Sequence, residues 1–426
     1  MGTVLALDVG SSSVRAQRFD ERADPIGELR RRPYDGRDPD EIVRLTREVL
    51  GGDEPDGLSC FGHSLLALDR RGKPLTELLG WRDTRSADAA AWLLRRLDGD
   101  AVHARTGAYL HPAFWPAKLA WLAETEPELY RKAERFVSFA EYLRGEPTTS
   151  PSLASGTGLL DLTTSEWDAE LLETLGLERE RLPALADVPV WIDGVCSNLG
   201  AGCTTKSRAA LMVGTSGALR ILYGTERPQP RPGLFVYRLD SHRVVEGGAL
   251  SDGGNLYAWL VKTLADPSGS VLERSPDEHG LTFLPFLGGE RSTGWDPDAK
   301  GAISGLTFDT TPRDIRQAAL EGVALRFAAI ADRMPEIEEV VATGGGLLED
   351  REWIQVMADA LARPVTASAV VEASLRGAAV AALDRLGLEE ADAPLGDVFH
   401  PREERAEAYR SARDRQQRLY EELRGE

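Results

Sequence analysis

Val4-Leu5-Ala6-Leu7-Asp8-Val9-Gly10-Ser11-Ser12-Ser13-Val14-Arg15-Ala16-Gln17-Arg18-Phe19-Asp20 is the stretch from which the rest of the chain is read. Leu5, Leu7 and Val9 alternate with Ala6 and Asp8, and Val14, Ala16 and Phe19 resume after a small-residue turn, a strand–hairpin–strand pattern. Gly10 admits a positive φ, and three successive serines offer hydroxyls and unhindered amide donors, a concave surface suited to phosphate oxygens. Asp8 stands at the lip. A carboxylate beside a phosphate calls for a cation between them, which makes Asp8 the candidate Mg²⁺ ligand. The plain alternative is an N-terminal hairpin with a polar turn.

The theme returns at mid-chain. Ala209 to Val213, then Gly214-Thr215-Ser216-Gly217, then Ala218 to Leu222 again reads as apolar strand, Gly/hydroxyl turn, apolar strand. Two such turns suggest two related domains facing one ligand across a cleft. Val340 to Thr343 is a further strand, ending in Gly344-Gly345-Gly346, where backbone can approach a planar group such as adenine. Trp191-Ile192-Asp193-Gly194 places an aspartate at a helix start. It is either an N-cap or a general base held ionised by the helix amides.

Other polar residues interrupt apolar sequence. Gly62-His63-Ser64 breaks the strand-like run Leu58 to Asp69, and the alternative for His63 is a satisfied core histidine. Trp81-Arg82-Asp83-Thr84-Arg85 joins an aromatic face to a carboxylate and a guanidinium. This suits a polyol, and equally suits an Asp83–Arg85 ion pair that orders a helix start. His111 and Lys118 are candidate ligand contacts or ordinary surface groups. The 288–297 segment reads as a loop. Helices are expected over 41–50, 87–97 and 315–327, around Trp353 to Leu361, over 372–383, and from Pro401 to the C-terminus with the stripe Tyr409, Ala412, Leu419 and Leu423.

With 426 residues the chain exceeds one growing core, so two domains are expected, 1–204 and 205–426, the terminal helix lying back on the body. The 69 acidic against 50 basic residues, a net charge of −19, disfavour nucleic acid or an anionic membrane as partner. No apolar run is long enough to span a bilayer and no export signal is seen, so a cytoplasmic protein is expected. Cys60, Cys196 and Cys203 match no zinc spacing and read as reduced thiols. A homodimer stays open.

In this order the motifs resemble the FGGY family of carbohydrate kinases, within the class that shares the ATPase fold of actin, the heat-shock chaperones and hexokinase. Leu7 to Ser13 is similar to its first phosphate motif, Gly214 to Gly217 to its second, and Gly344 to Gly346 with Trp353, Gln355 and Asp359 to its adenosine segment. Gly301-Ala302-Ile303-Ser304-Gly305-Leu306, Asp314-Ile315 and Ala318-Ala319-Leu320-Glu321 resemble its C-terminal signature. Ser251-Asp252-Gly253-Gly254 resembles a segment that usually carries asparagines, and Val190-Trp191-Ile192 abuts Asp193 where relatives have a small, Gly-containing run.

The resemblance implies an α/β fold: two ribonuclease H-like (actin-like ATPase) domains, each a mixed sheet flanked by helices, with a cleft between them. It implies ATP and Mg²⁺, with Asp193 as catalytic base and Asp8 on the metal. Gly10, Ser11, Ser12, Ser13, Arg15, Gly214, Thr215, Ser216, Gly217, Gly344, Gly345 and Gly346 would meet the nucleotide, and His63, Ser64, Trp81, Asp83, Arg85 and His111 the acceptor. The acceptor segments look most like the gluconate kinase branch. Alternatives are a xylulose-type ketopentose kinase and a catalytically impaired, nucleotide-dependent sugar sensor on the same fold.

Overall fold

The computed structural model describes residues 2–265, 269–388 and 392–424. Its frame is two mixed sheets. In the first, strands run in the order Val190–Ile192, Gly57–Cys60, Val4–Val9, Ser13–Phe19, Pro25–Pro33, the first three parallel and the last two antiparallel additions. The second places Arg208–Val213 in the position of Val4–Val9. It pairs antiparallel with Gly217–Gly224, which pairs with Arg243–Leu250, and on its other side lie parallel Glu339–Thr343 and Val365–Ser368. Phe235–Arg238 and Leu395–Phe399 extend the two edges. The five-strand pattern thus occurs twice, and the repeated strand–turn–strand of the sequence is the start of each copy.

This pattern explains the hydrophobic signal. Val4–Val9 is buried along its whole length because sheet partners flank it and helices cover its faces. Local chemistry sets the ends of the elements. Asp38 caps Pro39–Leu50 by accepting from Asp40 N–H, and Gly51 ends that helix at φ 64°. Thr311 and Asp314 form a reciprocal capping box on the buried helix Pro312–Ala331.

Three features depart from the sequence reading. The Leu58–Asp69 run is two separate strands, Gly57–Cys60 in the main sheet and Leu66–Leu68 paired with Arg135–Val137, so Gly62-His63-Ser64 sits where the chain leaves one layer for another. The Ala373–Arg385 helix lies beyond the expected boundary at 204/205, yet Leu375, Ala378, Ala379 and Leu383 share a core cluster with Leu5, Leu7 and Leu58 of the first sheet. It crosses the helix Asp193–Gly200 at a contact where a Cβ on Gly377 would stand 1.8 Å from the Cys196 carbonyl oxygen. The terminal helix Ala406–Arg424 packs back on the body, but through Tyr409, Ala412, Gln416 and Tyr420; Leu423 is 60% exposed. No helix among the described residues is long and apolar enough to cross a membrane.

Candidate active site

Both Gly/hydroxyl turns open on one cavity of about 340 Å³ between the sheets, lined by Gly10, Ser11 and Ser12 from the first turn and Gly214 to Gly217 from the second. Gly10 N–H donates to Ser13 O at 3.0 Å, closing the first turn, and the Tyr34 hydroxyl donates to the Gly10 carbonyl. Ser13 itself points into the protein, its Oγ buried without a partner. The second turn is held from below: Gly254 N–H donates to Gly214 O at 2.7 Å and Asn255 N–H to Thr215 O at 3.1 Å, using the free donors at a helix start. Gly344, at φ 86°, packs so closely that a Cβ there would lie 2.6 Å from Val213 O. Gly344 to Gly346 therefore stand directly behind the second turn rather than in the cavity wall.

Asp8, the penultimate residue of its strand, is 1% exposed. Its Oδ2 accepts from Arg15 Nη1 at 2.5 Å and its Oδ1 from the Ser59 hydroxyl at 2.6 Å. Arg15 also reaches Glu372 at 3.3 Å, tying the first turn to the crossing helix. Asp193 lines the same cavity. It is the first residue of its helix, Ile192 being the cap, and its Oδ1 accepts from Gly194 N–H at 2.7 Å. The sequence argument that helix amides hold this carboxylate ionised is corrected here. Burial, then the charge of Asp8, push its pKa up to about 6, outweighing Arg220, the Gly194 N–H and Arg291. The charge of Asp8 thus adds to the proton affinity of Asp193 beside one cavity, a carboxylate pair that fits a divalent cation, although no cluster of three or more acidic, His or Cys ligands occurs among the described residues.

The opposite wall carries His63, at φ 66°, and Trp81. His63 Nδ1 donates to Gly156 O at 2.6 Å, and burial pushes its pKa down to about 3, so the ring is neutral and Nε2 is an acceptor. Lys118 is 1% exposed and donates to the carbonyls of His63 (2.6 Å), Ala113 (2.9 Å) and Leu79 (3.3 Å). It pins three wall segments together rather than meeting a ligand. Ser64 accepts from Phe139 N–H and is fully buried. Asp83 and Arg85 form a two-pronged ion pair at 2.9 and 2.5 Å, the alternative the sequence left open. Asp83 lines an adjoining cavity with Ser11, Tyr34 and Trp81, Arg85 turns out to Glu77, and His111 lines another neighbouring cavity.

Sequence reading missed Arg220, Arg291, Tyr237 and Trp295, all in the cavity wall. Arg220 had a signal, a charge inside the otherwise apolar run Ala218 to Leu222. Arg291 and Trp295 had none, since the 288–297 loop acquires its role only by folding over the first domain, where Trp295 stacks on Tyr109 with ring centres 5.0 Å apart.

Comparison with known proteins bears on the family and the fold. The model of the FGGY family of carbohydrate kinases, N-terminal domain, matches residues 56–198, and that of its C-terminal domain residues 209–384. A gluconokinase of Bacillus licheniformis is 30% identical over 96% of this chain and 93% of its own length. Two solved structures share the fold: a ligand-bound xylulose kinase from Lactobacillus acidophilus (TM-score 0.89, 24% identity, 99% of this chain and 98% of that one) and a gluconate kinase from the same organism (TM-score 0.88, 24% identity, 99% and 98%).

Proposed function

The chain belongs to the FGGY family of carbohydrate kinases, and from that premise we propose that it transfers the γ-phosphoryl of ATP to a terminal hydroxyl of gluconate or a closely similar sugar acid. It is a sugar kinase, a phosphotransferase to an alcohol acceptor. The acceptor class and the role of each residue are our reading. One observation carries it: both Gly/hydroxyl turns and Asp193 line a single cavity between the two sheets.

In this reading the nucleotide's phosphates lie between Ser11-Ser12 and Thr215 to Gly217, whose amides and hydroxyls meet the developing charge, and the adenosine lies toward Gly344 to Gly346. The acceptor lies against Trp81 and His63, whose Nε2 accepts from a hydroxyl. Asp193 takes the proton from the attacking hydroxyl; a base titrating near 6 is ionised at neutral pH yet basic enough to accept it. Mg²⁺, held by Asp8, would supply neutralisation of phosphate charge. Burial pushes the Asp8 pKa up, and Arg15 and Ser59 oppose that rise and fix the carboxylate's orientation. Closure of the two domains excludes water from the transfer. Free buried thiols at Cys60, Cys196 and Cys203 support a reducing, cytoplasmic setting.

ADP release measured with gluconate, xylulose, glycerol and no acceptor tests the proposal. Acceptor-dependent turnover with the highest kcat/KM for gluconate is expected. A preference for xylulose moves the acceptor to the ketopentose class, and nucleotide binding without turnover for any acceptor overturns the kinase assignment in favour of a sensor.

A further inference from the structure

The acceptor end of the site is rich in cationic charge that carboxylates meet only at a distance, Asp193 acting on Arg220 and Arg291 and Asp252 on Arg291. Arg82, Arg220 and Arg291 all line the central cavity, and among the described residues no ion pair joins any of the three to a carboxylate. Arg82 is exposed, but Arg220 and Arg291 are withdrawn from water, and a buried guanidinium with no carboxylate against it is costly unless a ligand anion completes it. Arg220 belongs to the reacting end, since its Nε donates to Asn198 Oδ1 at 3.0 Å and its Nη1 lies beside Gly194, next to Asp193. Arg82 and Arg291 belong elsewhere. Their guanidinium carbons lie 4.9 and 4.5 Å from the centre of the Trp81 ring. Among the described residues the Arg291 side chain makes one hydrogen bond, Nη2 to Leu250 O at 2.7 Å, and its Nε is buried without a partner. Asp252, a carboxylate of the same region, is turned to the Gly288 N–H at 3.2 Å. Trp81, Arg82 and Arg291 also line the adjoining cavity of about 490 Å³, so the pair stands where the central site opens into it.

We infer that Arg82 and Arg291, flanking Trp81, form the subsite that reads the carboxylate of an acid acceptor and so set a preference for sugar acids over neutral ketoses and polyols. The inference rests on the kinase reading with Asp193 as base. Charge dictates the orientation. A sugar acid has its carboxylate at one end and its terminal hydroxyl at the other. The phosphates, Asp8 and Asp193 repel the carboxylate from the reacting end, and the two guanidinium groups receive it at the far end, where the planar fork of an arginine matches a carboxylate. Burial lowers the Arg291 pKa only to about 10, so it stays cationic at neutral pH.

Steady-state kinetics of the protein with gluconate and with xylulose test this, using Arg82→Ala, at an exposed position, and Arg291→Lys, which keeps the charge and loses the fork. Loss of a charge-assisted pair predicts a gluconate KM raised by about 10- to 100-fold in Arg82→Ala and less in Arg291→Lys. It also predicts that the ratio of kcat/KM for gluconate over xylulose collapses by a similar factor, with ATP KM and Tm held. Equal losses for both acceptors, or an unchanged gluconate KM, overturn the subsite while leaving the kinase reading intact. Wild type that turns over xylulose and not gluconate overturns the proposed acceptor class, and that result is read before any variant is made.

Discussion

Asp193 is where a single residue decides most. An unfolded aspartate titrates near 3.9, whereas folded Asp193 keeps its proton up to about 6, first because the surrounding protein desolvates it and then because Asp8 faces the same cavity. Between those values the folded state binds more protons than the unfolded chain, so stability falls as pH rises through the window. Above pH 6 the full cost, on the order of 3 kcal/mol, is present. Activity runs the other way, because the base must be ionised. The acid limb of the kcat/KM profile is therefore expected to inflect near pH 6 in a pH-rate measurement. Asp193→Asn should lose about 10²- to 10⁴-fold in kcat with ATP binding retained. In thermal melts the same variant should be more stable than wild type by several degrees at pH 8, with roughly half that gain at pH 5. An Asn variant with wild-type turnover removes the base assignment, and a pH-independent Tm difference removes the electrostatic explanation.

Among elements, the crossing of Asp193–Gly200 with Ala373–Arg385 matters most, because one of these helices begins with Asp193 and the other carries Ser374 into the cavity wall. Their backbones touch. Gly200 faces Ala373 O and Gly377 faces Cys196 O, each leaving 1.8 Å for a Cβ that needs far more. Gly377→Ala is expected to destabilise the fold by about 3 kcal/mol or more, since two helix backbones must separate and the cores on both sides shift with them. A melt of Gly377→Ala beside Gly80→Ala, where the backbone is not left-handed and a Cβ meets nothing within 4 Å, separates close packing from the general effect of replacing a glycine. Equal changes in Tm for the two would mean the crossing tolerates separation. Leu58 to Asp69 teaches the complementary lesson. Its apolar pattern was legible, but period alone does not show that Gly57–Cys60 and Leu66–Leu68 belong to different sheets, because side-chain alternation is the same in both.

At the scale of the molecule, the last helix reaches the site through one buried carboxylate. Glu290 accepts from Arg326 at 2.9 Å, from the Tyr420 hydroxyl at 2.7 Å and from Gly294 N–H at 3.0 Å, and the next residue is Arg291. Tyr420→Phe should lower stability by about 1–3 kcal/mol and raise the acceptor KM while leaving the ATP KM unchanged. A rise in both constants alike would mean a general loss of fold rather than a displaced loop. The sequence by itself determined the two strand–turn–strand units, their glycines and hydroxyls, the order of the motifs and hence the family, because turn chemistry and strand alternation are short-range and each is written in a few neighbouring residues. Only the tertiary structure decided that Arg15 and Ser59 occupy Asp8, that Lys118 clamps three carbonyls instead of a ligand, that Arg220 and Arg291 line the cavity, and that Asp193 titrates near 6. Those outcomes depend on burial and on charges brought together from distant parts of the chain, and neither quantity exists until the two sheets close on each other.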